Sequence, residues 1–297
     1  MNDGRGEALS AAPREPRGLW GNSWQRLRTH RSALGAGAVL ILVVLAALIG
    51  PALSPYALDA LDWQHIAVPP ELSSAHWLGT DRLGRDLYVR TLHGVRLSLA
   101  IGALATLVSV VIGVSWGAVA GFLGGRIDAL MMRTVDVLNS LPYLFLVIVL
   151  TTLVGRGNPY VLLLAVGAVG WLMMARIVRA QALSLRHKEF IEAAVACGAS
   201  TPQILLRHVL PNLLGPVVVY AALTLPQMML FESFLSFLGL GVQEPQASLG
   251  SLIRDGAREM ESAAWMLIVP ASVFVLLLVC CNFLGDGLRD ALDPREH

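Results

Sequence analysis

Six long apolar stretches constrain this chain more than any other feature of its sequence. Each has about the 20 residues that an α-helix needs to cross the hydrocarbon core of a bilayer. In lipid every backbone N–H and C=O group must find a partner within the protein, so such stretches fold as membrane-spanning helices. The six predicted spans are Ala33–Leu53, Leu97–Phe122, Val135–Val154, Tyr160–Val178, Leu214–Phe237 and Trp265–Leu284.

The composition excludes an ordinary soluble domain. Hydrophobic residues make up 55% of the chain and charged residues only 14%, whereas a soluble domain carries roughly 25% charged residues. The predicted fold class is therefore an all-α integral membrane protein with six transmembrane helices. The arginines are spread along the chain and form no basic stripe, which argues against nucleic acid as a partner.

Two of the predicted spans are irregular. Pro142 lies in the first turns of the third span and predicts a kink, and Pro226 interrupts the fifth. Glu232 is the one ionisable residue well inside a predicted span, and two interpretations of it stay open. It lines the translocation path or its outer gate, or it lies near the outer interface and is satisfied by a neighbour.

The distribution of positive charge predicts which way the spans run. With the N-terminus inside, 15 of the 22 arginine and lysine residues fall in inside segments, which favours two cytoplasmic termini. The tail Met1–Gly18 is predicted to be disordered, and the third outside loop, Leu238–Ala264, to form a helix at the membrane surface. The predicted divisions are a cytoplasmic N-terminal tail (1–31), a first transmembrane helix (32–53), an outside segment (54–96), a five-helix core (97–286) with a cytoplasmic loop (179–212), and a cytoplasmic C-terminal tail (287–297).

Several kinds of chemistry are missing from the sequence. Lys188 is the only lysine and stands between His187 and Glu189, so the chain has no Gly-Lys-Ser/Thr loop with which to bind ATP. The histidines are scattered without ligand spacing, which predicts no metal site. No catalytic motif is present, and no cofactor is expected on this chain.

The inside loop from Arg179 to Asn212 is too long to be a turn between two spans. Its residues Lys188–Cys197 suit a helix that places small and apolar side chains on one face, namely Phe190, Ala193, Ala194 and Cys197. Small side chains let another surface approach the helix backbone closely. Gly198 is a natural stop at the C-terminal end of that helix.

A second short helix is predicted to follow Gly198. Ser200 or Thr201 would cap it, with Pro202 in its first turn and Gln203 in a capping box with Ser200. It would end before Pro211. The loop is thus predicted to be a helix–turn–helix, and the residues alone leave open whether it rests on lipid headgroups or docks another protein.

The loop carries a motif that resembles a known family. Glu192-Ala193-Ala194, then Gly198, then His208-Val209-Leu210-Pro211 are similar to the EAA loop of ABC importer permeases. In that family the motif forms a coupling helix seated in a cleft of an ATPase subunit. The resemblance therefore implies docking roles for Phe190, Glu192, Ala193, Ala194, Gly198, Leu210 and Pro211.

Three other stretches resemble the peptide-importer branch of that family, in the same order along the chain. They are Gly79–Asp86, Ser233–Gly241 and Leu284–Pro294. The chain looks most like the C-type permease of oligopeptide importers, with dipeptide, nickel and glutathione permeases as alternatives. Gly79–Asp86 could touch a partner protein or could cap the second span through charges such as Asp81 with Arg85, and we favour the cap.

The resemblance implies a type I ABC importer permease fold in a bacterial inner membrane. It implies that the chain forms half of a translocation pathway for oligopeptides and is not itself an enzyme. It also implies partners: a homologous second permease, two ATPase subunits that bind ATP and Mg, an outside substrate-binding protein, the peptide substrate and membrane lipids. Two other classes stay open on the residues alone, a self-sufficient carrier or channel and a membrane scaffold without transport.

Overall fold

The computed structural model describes residues 28, 30–71, 73–154 and 159–292. The predicted disordered tail Met1–Gly18, the second outside loop at 155–158 and the chain end at 293–297 lie outside the described residues. Within the described part the regular structure is helical, and its β-structure is limited to an isolated bridge between Thr80 and Asp86.

Helices follow one another along the described chain, and the longest connection between two of them is residues 54–86. They are α1 (Arg31–Leu53), α2 (Leu87–Leu123), α3 (Gly125–Ser140), α4 (Tyr143–Val154), α5 (Pro159–Arg186), α6 (Glu189–Ala196), α7 (Thr201–Ile204), α8 (Leu210–Phe237), α9 (Leu249–Arg258) and α10 (Trp265–Leu292). Of the described helices, α1, α2, α5, α8 and α10 are each long and apolar enough to cross a membrane, and the bent pair α3–α4 can supply a sixth span. The all-α membrane fold predicted from the sequence is confirmed.

The third predicted span differs most from its prediction. Helices α3 and α4 meet at an angle of 79°. Pro142 has no backbone N–H and forces the residue before it out of the helical region, so Leu141 is extended at ψ 137° and α3 ends at Ser140. The predicted kink is therefore a break, and Val135 belongs to α3 rather than to the apolar helix α4.

Helix α2 begins at Leu87, earlier than the apolar stretch that starts at Leu97. Asp86 caps it, because its carboxylate accepts a hydrogen bond of 2.8 Å from the N–H of Val89. The helix has 37 residues, about 55 Å at the usual rise, whereas the hydrocarbon core is about 30 Å thick. One or both ends of α2 therefore extend beyond the core.

Helix α2 packs most extensively against α5. Gly113, Gly117 and Gly121 form a stripe along the face of α2 that meets α5. A Cβ atom at Gly117 would clash with the carbonyl oxygen of Ala175, and one at Gly121 would lie 2.5 Å from that of Arg179. Glycines at this spacing let two helix backbones approach closely in a membrane protein.

Helix α9 occupies the loop for which the sequence predicted a surface helix. A capping box starts it: the N–H of Ser251 donates to Ser248 Oγ at 3.2 Å, and the N–H of Ser248 donates to Ser251 Oγ at 2.9 Å. One face of α9 is buried against α2, α8 and α10 through Leu249 and Leu252. The predicted helix is present, but its apolar face is buried against other helices of the protein.

The glycine stripe generates a test of the α2–α5 contact. We expect Gly117→Ala to lower the free energy of unfolding by about 1–3 kcal/mol, because the added methyl group must push the two backbones apart. Gly215→Ala in α8 is the matched control, since a Cβ atom there has no neighbour within 4 Å. Thermal unfolding in detergent measures both, and an unchanged Gly117→Ala protein would contradict the close packing.

Candidate functional site

The loop helix α6 is held to the spans by one face. Ile191 is only 2% exposed and Ala194 is partly buried against the same apolar cluster. The spans contribute to that cluster Ala118 of α2, Met174, Val178 and Ala182 of α5, and Leu213 of α8. The short helix is therefore anchored in an apolar cluster to which three of the spanning helices contribute.

The opposite face of α6 carries the predicted docking residues. Phe190 is 42% exposed, and Glu192, Ala193 and Cys197 are exposed beside it. Of the four residues predicted to share the outer face, Ala194 alone turns partly inward. Val195, which was not singled out from the sequence, is 58% exposed on the same short helix.

Gly198 closes α6 as predicted. It adopts φ +81°, and its N–H donates to the carbonyl of Val195 at 2.9 Å, while that of Ala199 donates to Ala194 at 3.1 Å. This pair of hydrogen bonds is a Schellman motif, in which a left-handed residue ends the helix. A Cβ atom at Gly198 would have no neighbour within 4 Å, so the backbone conformation, not crowding, demands glycine here.

The second half of the loop departs from its prediction in two ways. Ser200 stands at the N-cap of α7, but its side chain makes no capping hydrogen bond, so the predicted capping box with Gln203 is wrong. The second helix also does not end before Pro211. A π-helical turn, Leu205–Val209, leads straight into α8. This turn has the i to i+5 hydrogen-bond pattern, and it lies just before Pro211, which has no backbone N–H.

The last two predicted docking residues lie at this junction. Pro211 is exposed and Leu210 is half-buried against the cluster that also holds Ile191. Leu206, in the π-helical turn, is 68% exposed. The junction thus adds exposed apolar surface on the segment that follows α6.

One ion pair and one hydrogen bond connect the ends of the helices α2, α3 and α5. Arg179 of α5 binds Asp128 of α3 through two bonds, Nε to Oδ1 at 2.5 Å and Nη2 to Oδ2 at 2.6 Å. Arg186 at the end of α5 donates from Nη1 to the carbonyl of Leu123, the last residue of α2, at 3.2 Å. These contacts hold the ends of α2, α3 and α5 together immediately before the loop.

The segment Gly79–Asp86 is a tight turn that caps α2, in agreement with the structural interpretation favoured above. Asp81 and Arg85 pair at 2.6 Å, not on a helix as their spacing suggested but across a turn closed by the bridge between Thr80 and Asp86. Arg85 also donates from Nη2 to Glu244 Oε1 at 2.8 Å. This hydrogen bond holds the pKa of Glu244 below its ordinary value.

Two residues of this outer cluster were missed by the sequence reasoning. Glu244 is far from Arg85 in the sequence, so no local pattern pairs them. Arg90 is 2% exposed with its Nε 3.5 Å from Asp81 Oδ2, and its Nε and Nη1 atoms have no hydrogen-bond partner in the described chain. The only sequence signal for Arg90 is a charge in the first turn of a long apolar helix.

Glu232 is fully buried where three helices meet. Its carboxylate accepts hydrogen bonds from Ser98 at 2.7 Å, from Ser236 at 2.8 Å and from Ser233 at 3.3 Å. The hydroxyl of Ser98 in turn accepts the N–H of Leu249, at the start of α9, at 3.2 Å. In this conformation Glu232 is satisfied by its neighbours, while a role in the translocation path stays a prediction.

One group of side chains in the described chain has the geometry to hold a metal ion. Asp62, His65 and His76 each offer a ligand atom, and these atoms lie within 4.8 Å of one another. The turn at Gly79–Asp86 brings these three residues together although they are separated in the sequence, while the prediction of no metal site stays a prediction.

Comparison with known proteins covers almost the whole chain. A family model described as the binding-protein-dependent transport system inner membrane component matches residues 109–297. A second, described as the N-terminal TM domain of oligopeptide transport permease C, matches residues 18–70.

Similar proteins agree with these two family models. The chain is 51% identical over 283 residues to the oligopeptide transport system permease protein OppC of Escherichia coli K12, which covers 95% of this chain and 93% of that protein. It is 47% identical to the protein of the same name from Haemophilus influenzae, over 95% and 91% of the two chains. A solved inward-facing structure of the MetNI methionine ABC transporter matches 70% of this chain and 96% of its own with a TM-score of 0.57 and 22% identity, which shows a shared fold.

The contacts of Glu232 allow its two interpretations to be separated. We expect Glu232→Ala to lower the free energy of unfolding by about 2–4 kcal/mol, because it leaves buried serine hydroxyls without their acceptor and opens a cavity. Glu232→Gln keeps a hydrogen-bond acceptor and nearly the same side-chain shape, so it should lower the free energy of unfolding by less than Glu232→Ala does. Glu261→Ala, at an exposed glutamate, is the control. A Glu232→Ala protein of unchanged thermal stability would contradict the structural role.

Proposed function

The chain belongs to the family of binding-protein-dependent inner membrane components, the permeases of ABC importers, and we propose that it takes up oligopeptides as one permease subunit of such an importer. Family membership confirms the resemblance seen in the sequence. The substrate is proposed because the N-terminal segment matches oligopeptide permease C and because the two relatives named above are oligopeptide permeases.

The exposed face of α6 is the main observation behind the proposal that separate ATPase subunits drive this permease. A helix of 8 residues with Phe190 and Val195 largely open to solvent leaves apolar area that a partner surface would bury. Glu192 and Ala193 stand beside them, one able to accept hydrogen bonds and the other small enough for close approach. The sequence has no P-loop, so ATP and Mg would be bound by two partner ATPase subunits.

We infer that α6 transmits movement of the ATPase to the spans. Ile191 is buried in an apolar cluster to which α2, α5 and α8 all contribute, so a displacement of α6 would shift that cluster. ATP binding would move α6 with the motor and open the pathway toward a substrate-binding protein outside, and hydrolysis would reset it. A homologous second permease would supply the other half of the pathway.

The proposed setting is a bacterial inner membrane, with both termini in the cytoplasm. This orientation puts α6 on the side where ATP is available, and it follows from the excess of arginine and lysine in the inside segments. The segment with the Asp81–Arg85 turn then faces outward. Its role as a cap of α2 leaves its exposed residues free to meet a binding protein.

Reconstitution in liposomes tests the proposed function. The two permeases with their two ATPases should import a labelled oligopeptide only when ATP and the substrate-binding protein are both supplied. A self-sufficient carrier or channel would move the peptide with this chain alone, and a scaffold would move nothing. Competition by unlabelled dipeptide, Ni²⁺ and glutathione tests the alternative substrates, and displacement of the oligopeptide by one of them alone would overturn the assignment.

The end of α6 gives a sharper test of coupling. We expect Gly198→Val to reduce ATP-driven uptake at least tenfold while ATP hydrolysis continues, because a β-branched residue resists the left-handed conformation that closes the helix. Gly198→Asn should retain more uptake, since asparagine tolerates that conformation. Uptake and hydrolysis are measured on the same proteoliposomes.

A matched control separates coupling from general backbone strain. Gly125 also has a positive φ, +57°, with no neighbour within 4 Å of a Cβ atom, but it lies at the start of α3. Gly125→Val should therefore keep the ratio of uptake to hydrolysis. Equal ratios in Gly198→Val and Gly125→Val would contradict the docking role of α6.

A further inference from the structure

A compact cluster of two imidazoles and a carboxylate lies in the segment between α1 and α2. His65 Nδ1 is 2.8 Å from Asp62 Oδ2, and His76 Nε2 is 3.5 Å from the same oxygen. The three side chains differ in exposure, at 28% for Asp62, 52% for His65 and 4% for His76. The cluster is therefore buried on the His76 side and open on the His65 side.

The hydrogen bonds of His76 fix which of its nitrogens faces the cluster. Its Nδ1 lies 2.9 Å from Asp86 Oδ2. A carboxylate can only accept, so Nδ1 carries a proton, and Nε2 is the nitrogen left to act as a metal ligand. This Nε2 atom is buried, and no hydrogen-bond partner is described for it. A buried ring nitrogen without a hydrogen-bond partner, on a histidine oriented by a carboxylate behind it, has the arrangement of a metal-ligating histidine.

The distances suit a small tetrahedral ion. Metal–ligand bonds of about 2.0–2.1 Å place the donor atoms of a tetrahedral zinc site roughly 3.3 Å apart. The two separations from Asp62 Oδ2, 2.8 and 3.5 Å, lie on either side of that value.

We propose that Asp62, His65 and His76 bind a divalent transition metal ion of the zinc class, with Asp86 holding His76 in the ligating tautomer. Two imidazoles with one carboxylate favour zinc over magnesium or calcium, which prefer oxygen ligands alone. On binding, the ion replaces the hydrogen bond between Asp62 and His65, whose proton moves from Nδ1 to Nε2. A water molecule at the open side completes the coordination.

The backbone around the site is already ordered by other contacts. The N–H of Asp62 donates to the carbonyl of Gly84 at 3.2 Å, and Thr80 Oγ1 donates to the carbonyl of His65 at 2.5 Å. Asp86, behind His76, is also the cap of α2. The bound ion therefore clamps the 62–65 turn to the segment that starts α2, with little rearrangement of the chain.

Zinc binding by the intact complex tests this site. The complex is stripped of metal with a chelator, and Zn²⁺ binding is followed by calorimetry and by elemental analysis. We expect one more Zn²⁺ ion for each copy of this chain than in a complex carrying His65→Gln, and an affinity at least tenfold weaker in that variant. His65 is exposed, so the variant should fold normally, which its thermal unfolding without metal verifies.

A control histidine and a second measurement complete the test. His93→Gln alters a partly exposed histidine of α2 outside the cluster and should leave zinc binding unchanged. Zn²⁺ should raise the Tm of the original complex and of His93→Gln but not of His65→Gln or Asp62→Asn, whereas Mg²⁺ should raise none of them. Equal zinc uptake by the original complex and His65→Gln, or equal loss in His93→Gln, would overturn the proposal.

Discussion

The close approach of α2 and α5 is the contact on which the rest of this structure depends. With glycine at 113, 117 and 121, the backbones themselves touch, and a single methyl group at Gly117 would meet the Ala175 carbonyl. In lipid no hydrophobic force pulls helices together, so close van der Waals packing of this kind must do so. Helix α2 is also the longest unbroken α-helix described. Its contact with α5 therefore fixes the position of α5 relative to both the outer and the inner end of α2.

The inner end of that pair carries the loop helix. Arg186 bridges from α5 to the last carbonyl of α2, and α6 begins three residues later. Ile191 then inserts into a cluster that α2, α5 and α8 share. A partner bound to the exposed side of α6 would therefore act on three spans through the cluster that contains Ile191. This cluster is the part of the structure through which the proposed coupling would be transmitted.

Part of this arrangement could be predicted from the sequence, because local patterns encode it. Gly198 marks the end of α6, and Pro142 disrupts the third span, since each acts through its own backbone conformation. The break at Pro142 is stronger than the predicted kink, because Leu141 before the proline is extended and ends α3. The capping box at Ser200 was predicted on residue types alone and did not form.

What could not be predicted depends on residues far apart in the chain. Arg85 meets Glu244, and Ser98 meets Glu232, only after the helices have assembled. The group of Asp62, His65 and His76 is assembled in the same way, because the turn at Gly79–Asp86 brings His76 to Asp62. A search for histidines at ligand spacing along the sequence does not detect a group assembled by such a turn.

The turn that caps α2 and the loop helix α6 are held by different kinds of interaction, and this difference bears on how the protein can move. At the start of α2, Asp86, Arg85 and Ser98 make directional hydrogen bonds that fix both distance and angle. At the loop, Ile191 is held by apolar packing, which is non-directional. Displacement of α6 therefore meets less resistance than displacement of the Gly79–Asp86 turn. A metal ion bound by His76 would stiffen that turn without contacting the loop.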